Sequence, residues 1–227
     1  MANLAWPSVR GKRARFTRLD ECGVPVVGPK STLVTKGFIK SSLSPEYEDA
    51  TENAPKTAND EFAYVDRGRD LLKYFTGEIQ FVGVDPEAWE IVTGNPVWAN
   101  AAGDSVGFKA GRYDDLTNNF ALELWTDIPD QACQGAKEYG YLLVPYLGPA
   151  RVGEIAITAE AAEFTLTNAV TKDGTPWGVG PYDVELDDAT TPAPGPLNEA
   201  LTAKDHLVMF RTKVPPPAVT AGVVALA

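Results

Sequence analysis

The sequence predicts an all-β fold, and three observations predict it. Runs of alternating apolar and polar residues recur along the chain, clusters of Gly, Pro, Asn and Asp separate them, and helix-period patterns are scarce. Alternation with period two marks a half-buried strand, because successive side chains point to opposite faces. About eight to ten such runs in one chain predict a β-sandwich or rolled β-barrel with one flanking α-helix, a long hairpin arm and a flexible C-terminal tail.

Taken in order, residues 13–20 read as a strand, and Asp20-Glu21-Cys22-Gly23-Val24-Pro25 supplies a turn before a second apolar run at Val26-Val27, an opening hairpin. Residues 32–42 (TLVTKGFIKSS) are rich in β-branched and aromatic side chains and are expected to form one strand. Residues 43–61 change character, with Glu46, Glu48, Asp49, Glu52, Asp60 and Glu61 and few large apolar side chains. A stretch of this kind is an extended hairpin arm or long loop whose backbone must be solvated or paired elsewhere, which makes it the first candidate for partner contact.

Glu78 and Gln80 alternate with Ile79 and Phe81 in the strand predicted at 71–83. The one clear helix signal follows: Asp85 as N-cap, Pro86 at the first helical position, Gly94 at the end, and Trp89 with Val92 on the buried stripe. Residues 118–127 (NNFALELWTD) read as a strand with two distinct faces. Pro145 inside 139–147 implies an edge, a bulge or a strand end, because proline cannot donate to a ladder. Residues 153–158 pair with 162–170, the Gly178-Val179-Gly180 segment is a turn, and 206–213 form a late strand. The domain is placed at 1–213 with the arm at 43–61; residues 214–227 are a tail, expected to lack a fixed conformation from 218 on.

No stretch approaches the roughly 18 apolar residues a spanning helix needs, and the opening MANLAWPSVRGKRARF lacks the apolar block of a signal peptide. The chain is therefore expected to be soluble and cytosolic when made, with Cys22 and Cys133 reduced. A formal charge of −11 conceals an asymmetry: residues 1–40 carry +6 and the remainder −17. The basic residues cluster in Lys12-Arg13-Ala14-Arg15-Phe16-Thr17-Arg18, where the spacing predicts one solvated strand face.

Catalytic constellations are weak. Asp114-Asp115, Asp187-Asp188 and Glu123 with Asp127 are carboxylate pairs of the type a glycosidase uses, yet nothing in the sequence fixes their separation, and an acidic chain yields such pairs by chance. His206 is the only imidazole and reads as a packing residue, and no phosphate-binding glycine loop or metal-ligand spacing occurs. No enzyme activity, cofactor or metal is expected. Trp6, Trp98, Trp125, Trp177 and Tyr182 suit a sugar-stacking platform less well than burial in a core or interface.

Four stretches, LVTKGFIKSSLSPEYEDATEN, FVGVDPEAWEIVTGNP, NNFALELWTDIPDQAC and AEFTLTNAVTKDGTPWGVGPYDV, sample residues 33–184. In sequence and in layout they resemble the major tail proteins of long-tailed siphophages, particularly those infecting actinobacteria. The resemblance implies a structural subunit of the virion tail, made in the host cytoplasm, whose hexameric rings stack into a hollow tube. Wall strands of neighbouring subunits line the channel, and DNA passes through without sequence-specific binding. The implied partners are further copies of itself and the phage's tape-measure and tail-terminator proteins, with no membrane. Residues 44–60 match the arm that bridges subunits or rings in such proteins. On the charge split, Glu46, Glu48, Asp49 and Glu52 are expected to meet Arg13, Arg15 and Arg18 of a neighbour. Glu123 and Glu154, each on the polar side of an alternating strand, are expected on the channel wall. A carbohydrate-binding β-sandwich is the alternative, and a carboxylate hydrolase comes third.

Overall fold

The computed structural model describes residues 10–83, 85–113, 117–129, 137–160, 162–174, 176–186 and 190–226. Strand β1 (Arg10–Leu19) runs into a turn built by the Asp20 carboxylate, which accepts from the backbone N–H groups of Cys22 and Val24. The chain returns as β2 (Gly28–Thr35), so the opening hairpin holds, but its second strand lies beyond the expected Val26-Val27 run. The expected single strand at 32–42 is two strands. The chain breaks at Lys36-Gly37, where the Thr35 hydroxyl takes the Gly37 N–H at 3.0 Å, and resumes as β3 (Phe38–Glu48) in a different sheet.

The strand pair β4 (Glu52–Asn53) and β5 (Asp66–Arg67) extends a hairpin that returns along β6 (Leu71–Val82). Helix α1 (Pro86–Thr93) has the expected caps: Asp85 accepts from the Glu87 and Ala88 N–H groups, and Gly94 ends it in the left-handed region at φ 77°. Trp89 and Val92 are buried, as the stripe predicts. A small hairpin, β7 (Val97–Ala99) and β8 (Ser105–Phe108), packs on the helix. The remaining elements are β9 (Asn119–Asp127), β10 (Tyr139–Leu147), β11 (Arg151–Ile157), β12 (Ala162–Val170), the short pair β13 (Glu185–Leu186) and β14 (Pro194–Gly195), β15 (Val208–Thr212) and β16 (Val224–Leu226).

Two antiparallel sheets dominate, one of six strands in the order β15-β10-β9-β1-β2-β16 and one of four in the order β11-β12-β6-β3. Neither closes on itself, so the fold is a sandwich and the rolled-barrel expectation falls. Between the sheets lies a core of Ala14, Phe16, Leu33, Ile79, Phe120, Leu122, Val144, Phe164 and Leu166, closed on one side by Trp89, Ile91 and Val92 of α1. The opposite face of the six-stranded sheet carries a second core, in which Trp125, Tyr141 and Leu143 are covered by Trp177, Tyr182, Val184 and Leu197.

Burial on both faces explains why β9 and β10 read as nearly continuous buried runs. It also places β10 inside the sheet. Of the readings offered for Pro145, the bulge is the one found, since the ladder shifts register between Val144 and Leu147. The tail differs from expectation as well. Residues 224–226 add a sixth strand beside β2, Thr220 donates its N–H to the Val34 carbonyl, and Leu226 is buried, so the chain beyond 213 is part of the sandwich. Ordering these residues is favourable because β2 offers unpaired backbone groups and Ser31 accepts the Leu226 N–H at 2.7 Å.

Candidate functional site

The arm is a two-stranded ribbon. From the Phe38–Phe81 pair at its base, β3 and β6 pair as far as Glu48–Leu71, with register shifts between Phe38 and Lys40 and between Glu46 and Tyr47; β4 and β5 continue the ribbon, and a bridge between Lys56 and Phe62 leads to the tip. There the Thr57 N–H donates to the Glu61 carbonyl and Asp60 takes φ 64°, a conformation that aspartate tolerates better than most residues. The predicted arm at 43–61 is therefore only the outgoing limb; the returning limb runs from 62 to 77, where Gly77 pairs with Leu43.

The four acidic candidates share that outgoing limb and are all exposed. Glu46 lies opposite Tyr74, Glu48 opposite Leu71 with Lys73 at 4.0 Å, and Glu52 opposite Arg67, while Asp49 follows the end of β3. The limbs also expose a row of large apolar side chains: Tyr47, Phe62 (60%), Tyr64 (53%), Val65 (59%), Leu71 (62%) and Leu72. Sequence reading missed Phe62, Tyr64 and Val65 because it ended the arm at Glu61. The available signal was the Phe62-Ala63-Tyr64 alternation, together with the requirement that a hairpin limb have a return of matching length.

The basic partner strand does not survive as drawn. Arg15 is largely withdrawn from solvent: its Nε and Nη2 donate to the two carboxylate oxygens of Glu123 across the β1–β9 ladder, and its guanidinium lies over the rings of Tyr182 at 4.5 Å and Trp125 at 5.3 Å. Arg18 turns to the other face and donates to Glu90 of α1 at 2.9 Å, and Arg13 donates to the Lys12 carbonyl at 2.8 Å. Side chains alternate along a strand, so Arg13 and Arg15 share one face while Arg18 lies on the other, and the second core covers the side that takes Arg15.

Glu123 is corrected for the same reason. It is 0% exposed, paired with Arg15 and accepting from the Tyr141 hydroxyl at 2.7 Å, so it faces the second core and not a channel. The same pairing removes it from the Glu123–Asp127 acid/base reading. Burial opposes charge on Arg15, but the adjoining Glu123 carboxylate more than offsets it and holds the guanidinium protonated. Burial, then the Glu123 charge, pushes the Tyr141 and Tyr182 hydroxyls well above the usual phenol range. Such a cluster is structural chemistry: every charge in it is balanced internally.

Glu154 is exposed on β11, which among the described residues pairs only with β12 and forms one edge of the four-stranded sheet. Cys22 is an exposed free thiol in the β1–β2 turn; Cys133, Trp6, Asp114, Asp115, Asp187 and Asp188 lie outside the described residues. Of the described tryptophans, Trp125 and Trp177 are buried in the second core and Trp98 alone is exposed, so the sugar platform loses its members. His206 is buried, with Nδ1 2.8 Å from the Thr171 hydroxyl and Nε2 3.1 Å from Asp173. This hydroxyl–imidazole–carboxylate order resembles a hydrolytic relay, yet Thr171 is itself buried and its oxygen already accepts the Phe75 N–H, leaving no approach for a substrate.

Among the described residues, no group of three or more His, Cys, Asp and Glu side chains is arranged to hold a metal, and no helix is long and apolar enough to cross a membrane. No protein-family model matches the chain, and no curated protein matches it.

Proposed function

We propose that this protein is a structural subunit that assembles with copies of itself, and that its assembly is the tail tube of a long-tailed bacteriophage, with rings stacked around a channel for DNA. The observation that carries the reading is the four-stranded sheet, which among the described residues is open at both edges: β11 pairs only with β12, and β3 only with β6. Long uncovered edges invite pairing with another chain, and natural proteins shield them. Setting β11 of one copy against β3 of the next covers both edges at once and is a head-to-tail contact, the kind that closes rings.

The solvent side of this sheet is polar. Lys40 pairs with Glu78 at 3.2 Å and Gln80 with Glu163 at 2.8 Å, on neighbouring strands. A wall of paired and acidic groups lacks the concentrated positive charge that tight phosphate binding needs, so it suits a channel through which DNA slides. On this reading Glu78 and Glu163 take the channel position assigned from sequence to Glu123, and Glu154 remains at its rim. The long arm, rich in exposed apolar side chains, supplies contact between rings, and contiguous exposed apolar surface marks such contact sites.

Negative-stain microscopy of the concentrated, purified chain tests the proposal. Stacked rings with a central channel are expected; single particles at every concentration would overturn it.

A further inference from the structure

Resting on that assembly reading, we propose that a cavity between α1 and the base of the arm is a socket for the arm of a second copy, with Phe62 as the plug. The cavity is a half-open pocket of about 240 Å³, lined on its apolar side by Phe81, Val82, Ala88, Trp89, Phe164 and Leu166 and elsewhere by Thr35, Gly37, Gly83 and Asp85. Its wall is firm: the Trp89 ring stacks on Phe108 at 4.2 Å and meets Phe164 edge-on at 6.2 Å. The Asp85 carboxylate at the mouth is already engaged in capping α1. A space of this size with mostly apolar walls offers water few partners and an aromatic ring many.

The chain cannot fill the socket with its own arm. Phe81 and Val82 stand at the base of the β3–β6 ribbon, whereas Phe62 stands at its far end, beyond the Glu48–Leu71 pair. The ladder between these points is about 30 Å long at roughly 3.3 Å per residue, and the rest of the arm adds to it. Plug and socket therefore sit at opposite ends of one ribbon, and each contact leaves a free plug at one end and a free socket at the other. Heterologous contacts of this sort repeat without limit, as successive rings require.

Charge favours the same match. Lys36 stands in the chain between Thr35 and Gly37, two residues that line the cavity, and Glu61 immediately precedes Phe62. Both are exposed, and neither has an ion-pair partner among the described residues. Seating Phe62 brings the two opposite charges to the same rim.

Two experiments test the socket. In a Cys22→Ser/Cys133→Ser background, chains carrying Phe62→Cys are mixed with chains carrying Val82→Cys and gently oxidised; a covalent pair of one chain of each kind is expected in assembled tubes. Phe62→Ala should raise the concentration at which tubes appear about tenfold or more, the scale expected for losing one buried aromatic side chain. Because Phe62 is exposed in the single chain, its thermal unfolding should not move. Glu61→Lys should weaken assembly, and adding Lys36→Glu should restore it. Tubes that form as readily with Phe62→Ala and yield no cross-link would overturn the socket and leave the tube reading standing. A wild-type chain that never assembles would overturn both. A small apolar molecule retained in the cavity of assembled tubes, seen by native mass spectrometry, would also exclude the plug.

Discussion

Glu123 and Arg15 face each other in register across β1 and β9, with the Tyr141 hydroxyl closing the carboxylate's third contact. A buried pair of this type contributes little net stability relative to well-packed apolar residues, but breaking it strands a charge. Glu123→Ala should therefore cost about 3–5 kcal/mol of unfolding free energy, whereas Arg15→Met with Glu123→Leu should recover most of that loss. Urea denaturation of the two variants measures the difference, and equal losses would contradict the internal pairing. The sequence showed Arg15 and Glu123 as polar residues on strands and placed both on solvated faces, whereas the structure buries their pairing. What covered them came from the segment carrying Trp177, Tyr182 and Leu197, more than fifty residues beyond Glu123 in the chain, and no local pattern announces that.

At the level of elements, α1 was readable because its signals are local: a capping carboxylate, a proline at the first turn and a glycine at the last act within one helix length. The break between β2 and β3 was not, since TLVTKGFIKSS has strand-forming residues on both sides of Gly37 and only the sandwich decides that the two halves join different sheets. The C-terminal segment shows the same dependence. Its composition gives no strong strand signal, yet β2 offers it an open edge and α1 offers Glu87, which accepts the Val223 N–H at 2.7 Å. Leu226→Ala should cost about 2–3 kcal/mol, toward the lower end for a buried leucine at the end of a short strand. Deleting residues 218–227 should lower the unfolding temperature further, as circular dichroism would record; an unchanged midpoint would mean the strand does not hold.

On the scale of the whole molecule, the arm and the sandwich are separable. Beyond its base, where Leu43 packs on the main core, the arm pairs strand to strand within the ribbon, while the two cores lie in the body. Replacing residues 50–69 by a tight Asn-Gly turn should leave the unfolding midpoint of the body within a few degrees and abolish tubes, with microscopy and calorimetry read on the same sample. Tubes surviving that deletion would assign stacking to the sheet edges alone. The net charge belongs to this scale too. The +6 and −17 division is real in the sequence, but Arg15 and Arg18 discharge part of it inside the subunit, so less of the basic segment is free for a neighbour than the count suggests.

By itself the sequence determined the all-β class, the capped helix, most strand positions and the existence of an arm, because period-two alternation, caps and turn residues are properties of neighbouring residues. Only the tertiary structure decided which strand face is covered, where a strand changes sheets, that the tail completes a sheet, and that Phe62 and the cavity beside α1 lie at opposite ends of one ribbon. Those are facts about segments far apart in the chain, and a residue's exposure depends on what folds over it as much as on what it is.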